Sequence, residues 1–554
     1  MAAQELRWLT YLLTDLGEPP RSPPVLYVDN KAMLALCREH RLEHRTKHIA
    51  LRYFLARELQ QRGQLRLAYV ASQANTADIF TKALQPCDHQ RFCTMLEDEA
   101  AAAVLDPADD HPGISPRPRG DDDDDDDSDD APTPRPSCHH APPSDTSPTH
   151  ESDDDDMVEV TTEEAEGASN LTRLQLLGLH TSVTTLTCGV EPKNPRQALT
   201  GPHAKEWRAA MDAELKALES PDGTIEHFKA RWVIRGYDQR HDIDFDYTFA
   251  PIRRHTSVRI LLTIAAAKHL PLRQIDVKNA FLYALVDATI FVEQPHTYGE
   301  GDPRVCRLKK YLYGIKQAPR LWQQHLHKIL LEIGFRQLPY DPGMYRLHFN
   351  GDYILLTVYV DDLLYTGTCN KLMDQFEANL AQCINMTINH KVTQFLNLNI
   401  TYAPVALHLS ASKYAEQLGK CFNILPAPLS TPYRNPSVNY KPDNKPLSPA
   451  GLQLYQQKLG CLLFASVTCR PDLSYIASQL AQYSRKPVVE NQLDLECTLQ
   501  YFISTPDIGL SYSMLTTTSF NLNGYVDADH AADPANRRSR TGFVFNLEPT
   551  RPIS

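Results

Sequence analysis

No two cysteines in this 554-residue chain stand at C-x-x-C spacing, although the chain has 12 of them. That excludes the usual zinc-ribbon, zinc-finger and thioredoxin-type motifs. The run Cys138-His139-His140 lacks companions at zinc spacing and reads as incidental. There is no secretory leader and no stretch of about 18 apolar residues, so neither export nor a membrane span is expected. Scattered single cysteines then imply reduced thiols and an intracellular protein. An excess of positive charge is also missing. A formal net charge of −12 looks wrong for a protein that grips a phosphate backbone.

The position of the charge changes that reading. Residues 101–170 hold 22 Asp and Glu against 3 Arg, a local −19 that leaves the rest of the chain at +7. The remainder is mildly basic, as a backbone binder should be. The tract itself (DDDDDDDSDD, then ESDDDD, among Pro, Ser and Thr) cannot bury a core. It is expected to be a disordered, solvating linker, with nucleic-acid mimicry as the sharper alternative.

What the chain does contain is a pattern of carboxylates. Tyr359-Val360-Asp361-Asp362 lies between the apolar runs ILLTV and LLYTG, which predicts a β-hairpin with two adjacent carboxylates at its turn. Such neighbours repel unless a cation sits between them, so the turn is either a Mg²⁺ site or a solvated acidic loop. About 85 residues upstream, LPLRQIDVKNAFLYALV places Asp276 at the end of a short apolar strand, followed by a segment of helical character. RLKKYLYGIKQAPRLWQQHLHKILLEIGF then reads as a basic loop and a long helix.

In this order the strings KARWVIRGYDQRHDIDFDYTFAPI, IDVKNAFL, LYGIKQAPRLW, YVDDLLYTG and CRPDLSYIASQLAQYS resemble the reverse transcriptase of copia-type LTR retrotransposons. The resemblance implies an α+β right-hand palm and fingers with connecting helices. It also implies an RNA-directed DNA polymerase that extends a DNA primer on an RNA or DNA template from dNTPs. Two Mg²⁺ ions, or Mn²⁺, would be held by Asp276 and Asp361 with Asp362 in support. Lys229 and Arg231, on one face of a strand, would neutralise the incoming triphosphate. Phe281 would exclude a 2′-hydroxyl, its bland reading being an ordinary core aromatic. Gln317, with Gly314 and Pro319, would support the template and nucleotide pocket. QFLNLNITYA resembles a primer-gripping strand pair, with Asn397 where the family usually has Gly.

Two departures from the family stand out. A strand pair normally behind the fingers hairpin has no counterpart after EWRAAMDAELKALES. The chain also begins with strings (VLYVDNKAMLAL, HRTKHIALRYFLARELQ, LRLAYVASQANTADIFTKAL) that resemble the second half of a ribonuclease H domain, which in the family follows the polymerase. Its end, LNGYVDADHAADPANRRSRTGFVFNLEPTRPIS, resembles that domain's opening hairpin. A rearranged or tandem element, or a gene joined across exons, would give this order.

The expected organisation is therefore 1–95, the carboxy-terminal half of a ribonuclease H-like domain; 96–185, a disordered acidic linker; 190–435, a reverse transcriptase with truncated fingers; 436–515, connecting helices; and 516–554, the domain's amino-terminal hairpin. The two pieces of the α/β ribonuclease H-like fold are separated along the chain, but a long linker costs little closure entropy, so the ends could meet, in one molecule or between two. Their matching carboxylates are Asp527, Asp29 and Asp78. The catalytic Glu has no counterpart, and Glu5 reads as a surface residue, so hydrolysis of RNA is not expected. The alternative function is a non-enzymatic transposon relic, and an acidic-tract interaction protein is a third reading. The resemblance places the chain in the cytoplasm, within a virus-like particle, or in the nucleus.

Overall fold

The computed structural model describes residues 1–38, 50–97, 172–174, 180–182, 229–231, 254–286, 290–293, 305–434, 445–514, 519–529 and 539–548, parts of 204–211 and 233–250, and positions 537 and 553. The acidic runs, Cys138-His139-His140 and most of EWRAAMDAELKALES lie outside the described residues.

The chain opens with helix α1 (Ala2–Leu16), in which Leu6, Leu9, Leu12, Leu13 and Leu16 recur at helical spacing and are fully buried. Burying them contributes on the order of 10 kcal/mol before chain entropy is counted. Gly17 ends the helix at φ 81°, and a Cβ there would stand 2.6 Å from the Arg346 guanidinium. Strand β1 (Val25–Val28), helices α2 (Lys31–Arg38) and α3 (Ala50–Gln61), strand β2 (Arg66–Tyr69), a 3₁₀ turn (Thr76–Phe80) and helix α4 (Pro86–Glu97) follow.

Strands β3 (Thr172–Leu174) and β4 (His180–Ser182) fall inside the stretch expected to be linker. This is a correction. β3 pairs parallel with β7 (Ile290–Glu293), and β4 pairs antiparallel with β5 (Lys229–Arg231), so both find ladder partners in the polymerase region. β8 (Val305–Arg307) completes the β3–β7–β8 sheet. Helix α5 (His255–Ala267) is apolar nearly all round, and it leads into β6 (Leu272–Val277). After helix α6 (Ala318–Ile333) come β9 (Arg336–Leu338), β10 (Asp341–Phe349), β11 (Asp352–Tyr359), β12 (Asp362–Gly367), helix α7 (Asn370–Ala381) and β13 (Met386–Asn389). β6 and β9–β13 form a six-stranded sheet in the order β13-β6-β12-β11-β10-β9. This body is α+β, as the resemblance implies.

β14 (Gln394–Phe395), β15 (Leu398–Tyr402) and β16 (Ala406–Ser410) start a second sheet. Leu396 and Asn397 turn the β14–β15 hairpin at φ 49° and 63°, as a two-residue type I′ turn requires. Asn tolerates this region and Leu does not. Helix α8 (Ser412–Phe422) precedes the connecting helices α9 (Pro449–Thr468), α10 (Ser474–Gln482) and α11 (Val489–Ser504). The connection is not wholly helical, because β17 (Gly509–Ser513) pairs with β16.

The carboxy-terminal hairpin is β18 (Asn521–Ala528) with β19 (Thr541–Glu548). It meets the opposite end of the chain, the alternative that a long linker leaves open. β1, from the other end of the chain, pairs parallel with β18 in the register Val25↔Asn523 through Val28↔Val526, and β2 pairs parallel with β1. The sheet β19-β18-β1-β2 is thus built from both ends. Tyr27 stacks on Tyr525 at 4.9 Å, and α1 packs in the same hydrophobic cluster as residues of α5, β10, α9–α11 and β18–β19. β1 satisfies the β18 edge, and the shared cluster covers the leucine face of α1. Among the described residues, no helix is long and apolar enough to cross a membrane.

Candidate active site

β11 and β12 run antiparallel with Tyr359 opposite Asp362, which leaves Val360 and Asp361 as the two turn residues. Val360 sits at φ 53°, a region that β-branched residues rarely adopt. The indole of Trp322, on α6, donates from Nε1 to the Val360 carbonyl at 2.8 Å. Trp322 is 1% exposed, so the strained turn is tied to a buried hydrophobic cluster. The Val277 N–H also donates to the Asp361 carbonyl at 2.9 Å. The turn's backbone is therefore fixed from two sides.

On the adjacent strand β6, Asp276 is the direct partner of Asp362. Like charges opposite one another on neighbouring strands are destabilising unless a cation is shared. Gln274 Nε2 donates to Asp362 Oδ1 at 3.2 Å and orients that side chain. Asp276 is exposed, while Asp361 and Asp362 are half-buried, so the oxygens open toward solvent at one end of the sheet. An oxygen-only donor set of this kind suits Mg²⁺. Among the described residues, Asp276, Asp361 and Asp362 do not form a cluster with all ligand atoms within 4.8 Å of one another.

The surrounding residues follow the expected motifs unevenly. Phe281, in the 3₁₀ turn Ala280–Tyr283, packs edge-on against Tyr313 at 4.8 Å and is 9% exposed. Gln317 is buried and accepts from Gln239 Nε2 at 3.0 Å. Gln239 in turn accepts from Lys316 N at 2.8 Å and, through its carbonyl, from Lys316 Nζ at 2.9 Å. The RGYDQ and LYGIKQ loops are thus clamped together. Gly236 and Gly314 lie where they meet, and a Cβ on Gly236 would stand 1.8 Å from the Gly314 carbonyl oxygen. Lys229 and Arg231 lie on β5, but their side chains are outside the described residues. Sequence reasoning passed over Trp322, Gln274 and Gln239. Only Trp322 carried a signal, as the one large aromatic near the start of the long helix.

A second carboxylate set is assembled from the two chain ends. Asp29, Asp78 and Asp527 place ligand oxygens within 4.8 Å of one another. Lys82 Nζ lies 2.9 Å from Asp78 and 3.4 Å from Asp527. The Thr81 hydroxyl donates to Asp527, and Ser72 Oγ donates to Asp29 at 3.1 Å. Burial pushes the Asp78 carboxyl up to about 6 against the pull of Lys82. Glu5 is elsewhere, its Oε1 accepting from Arg254 Nη1 at 3.0 Å.

Residues 216–433 match the family model described as reverse transcriptase (RNA-dependent DNA polymerase). The chain is 33% identical over 396 residues to the retrovirus-related Pol polyprotein from transposon RE2 of Arabidopsis thaliana, covering 66% of this chain and 27% of the relative. It is 29% identical over 398 residues to that from transposon TNT 1-94 of Nicotiana tabacum, covering 64% of this chain and 29% of the relative. A putative transposon Ty5-1 protein of Saccharomyces cerevisiae is 32% identical over 277 residues, covering 49% of this chain and 88% of the relative. The chain therefore spans less than a third of the plant polyproteins it matches, and most of the yeast one.

Proposed function

The chain belongs to the copia-type retrotransposon Pol family and carries its reverse transcriptase domain, and from this we propose that it is an RNA-directed DNA polymerase. Its substrates are an RNA or DNA template with a DNA primer, and deoxynucleoside triphosphates. The reading rests on Asp276 standing opposite Asp362 at the end of adjacent strands, beside a turn that carries Asp361. Two bound Mg²⁺ ions, or Mn²⁺, would lower the pKa of the primer hydroxyl and stabilise charge in the in-line displacement. Asp276 and Asp361 would hold them, with Asp362 in support. Trp322 and Val277 keep the turn from shifting, which matters because a displacement of about 1 Å can cost a hundredfold in rate.

Around that centre, Phe281 forms the wall that rejects a 2′-hydroxyl, supported by its packing on Tyr313. Gln317 holds the nucleotide pocket through the Gln239 bridge. Lys229 and Arg231, at alternate positions of β5, neutralise the triphosphate. The duplex is gripped through backbone and A-like shape, without sequence readout. A retrotransposon polymerase of this kind works in a cytoplasmic particle or in the nucleus. Primer extension on poly(rA)/oligo(dT) with Mg²⁺ tests the proposal. Asp361→Asn and Asp276→Asn should each abolish incorporation with a melting temperature no lower than the parent's, since each removes a like charge from the cluster. Incorporation by either variant at the parent rate would sink the assignment.

A further inference from the structure

Among the described residues, the amino-terminal segment is held to the polymerase by a dense interface with residues 1–97 on one side and residues at 254 or later on the other. Trp8 Nε1 donates to the Tyr340 carbonyl at 2.7 Å, while Tyr11 stacks on Tyr340 at 4.9 Å. The Arg254 guanidinium lies over the Trp8 ring at 4.2 Å while pairing with Glu5. Glu18, 5% exposed, pairs with Lys268 and with the Tyr353 hydroxyl. β1 contributes a parallel ladder to β18, and Lys82 bridges Asp78 to Asp527 across the same sheet.

At the far end of the segment, the Tyr433 hydroxyl accepts from the Leu84 N–H and donates to the Leu84 carbonyl, both at 2.5 Å. His89, 2% exposed, stands edge-on to Tyr433 and Tyr501 at 6.0 and 5.9 Å. Its neighbours Cys93 and Asp472 have ligand atoms within 4.8 Å. The trio is a packing anchor, not a metal centre, because both Asp472 oxygens already accept from the buried Arg470 guanidinium at 2.9 and 2.8 Å. A divalent cation beside that guanidinium would leave uncompensated positive charge in the interior.

Each side of this interface is incomplete alone. Without β1, the β18–β19 hairpin would be a two-stranded ribbon, which is marginal in water. Without the polymerase, the buried leucine face of α1 would be bare. We propose that residues 1–97 form a separable subunit, held to the rest of the molecule by this interface alone, so that a second copy of the chain can supply the segment. The covalent connection then contributes only effective concentration, and no contact that the assembly requires.

The test uses the full-length chain with a specific protease site inserted between residues 121 and 156. After cutting, the two pieces should co-elute in gel filtration. Cut protein tagged at its amino terminus, mixed with cut untagged protein, should pass its tag to untagged polymerase bodies. Tyr433→Phe in the cut chain should speed that transfer about tenfold, corresponding to about 1.4 kcal/mol, with an unchanged far-UV spectrum. Pieces that part on cutting would overturn the inference, as would pieces that co-elute but never exchange. Neither outcome bears on primer extension, which is measured separately.

Discussion

At the scale of single residues, the candidate centre depends on a strained turn and on what restrains it. Val360 at φ 53° costs on the order of 1–3 kcal/mol, and the Trp322 indole bond to its carbonyl offsets part of that. Trp322→Phe keeps an aromatic ring, though a smaller one, and deletes the donor. Single-nucleotide incorporation should slow at least tenfold with little change in KM for dNTP, since the loss is one of positioning. An unchanged rate would show that the indole bond does not place the turn. Gly236 makes a sharper case, because a Cβ there would overlap the Gly314 carbonyl oxygen at 1.8 Å and neither backbone can yield. Gly236→Ala should lower the melting temperature and abolish extension together. A variant that melts like the parent would mean the two loops separate at small cost.

At the scale of elements, the docking of α4 carries a pH dependence. Burial lowers the His89 pKa below its usual value near 6.5, and Asp472 pulls the other way without overcoming it. Arg470 adds to the lowering, and the Cys93 thiol and the Tyr433 and Tyr501 rings are the other groups packed against the imidazole. A histidine held neutral in the fold but free to protonate when undocked contributes stability that is whole above its ordinary pKa. That stability is lost as pH falls from 6.5 toward and through the lowered value. Thermal melts should therefore drop between pH 7 and pH 5, and His89→Phe should flatten that part of the curve. An unaltered slope in the variant would locate the pH dependence elsewhere.

The elements also show what a sequence can and cannot disclose. The YVDD hairpin, the strand ending at Asp276 and the long helix after the basic loop were all legible, because their periodicity and turn chemistry are local. β3 and β4 were not, since three-residue strands next to an acidic tract have no period to detect. Nor was the pairing of β1 with β18. Nothing near Val28 announces Val526 as its neighbour, and only complementary halves of one family pattern hinted at it. Lys82, Gln239 and Gln274 went unread for a related reason. Their partners lie 445, 78 and 88 residues away in sequence.

At the scale of the whole molecule, the joining of the two ends raises the question of a second hydrolytic centre. Asp29, Asp78 and Asp527 do converge, so the expected inactivity cannot rest on their separation. It rests on what else occupies the site. The Lys82 ammonium sits between Asp78 and Asp527 as a cation of the protein itself. Burial already pushes Asp78 up to about 6, so it begins to take up a proton as pH falls below neutral. Among the described residues no glutamate joins the trio, and Glu5 is committed to Arg254. Two-metal hydrolysis needs both ions clamped by a full set of carboxylates, and a site short of one ligand loses charge and geometry together. The RNA strand of an RNA/DNA hybrid should therefore remain intact in Mg²⁺ under conditions where primer extension proceeds. Degradation of that strand by the parent chain, abolished by Asp527→Asn, would overturn this. It would mean that Lys82, 41% exposed at its side chain, swings clear and that the reunited sheet cleaves without a fourth carboxylate.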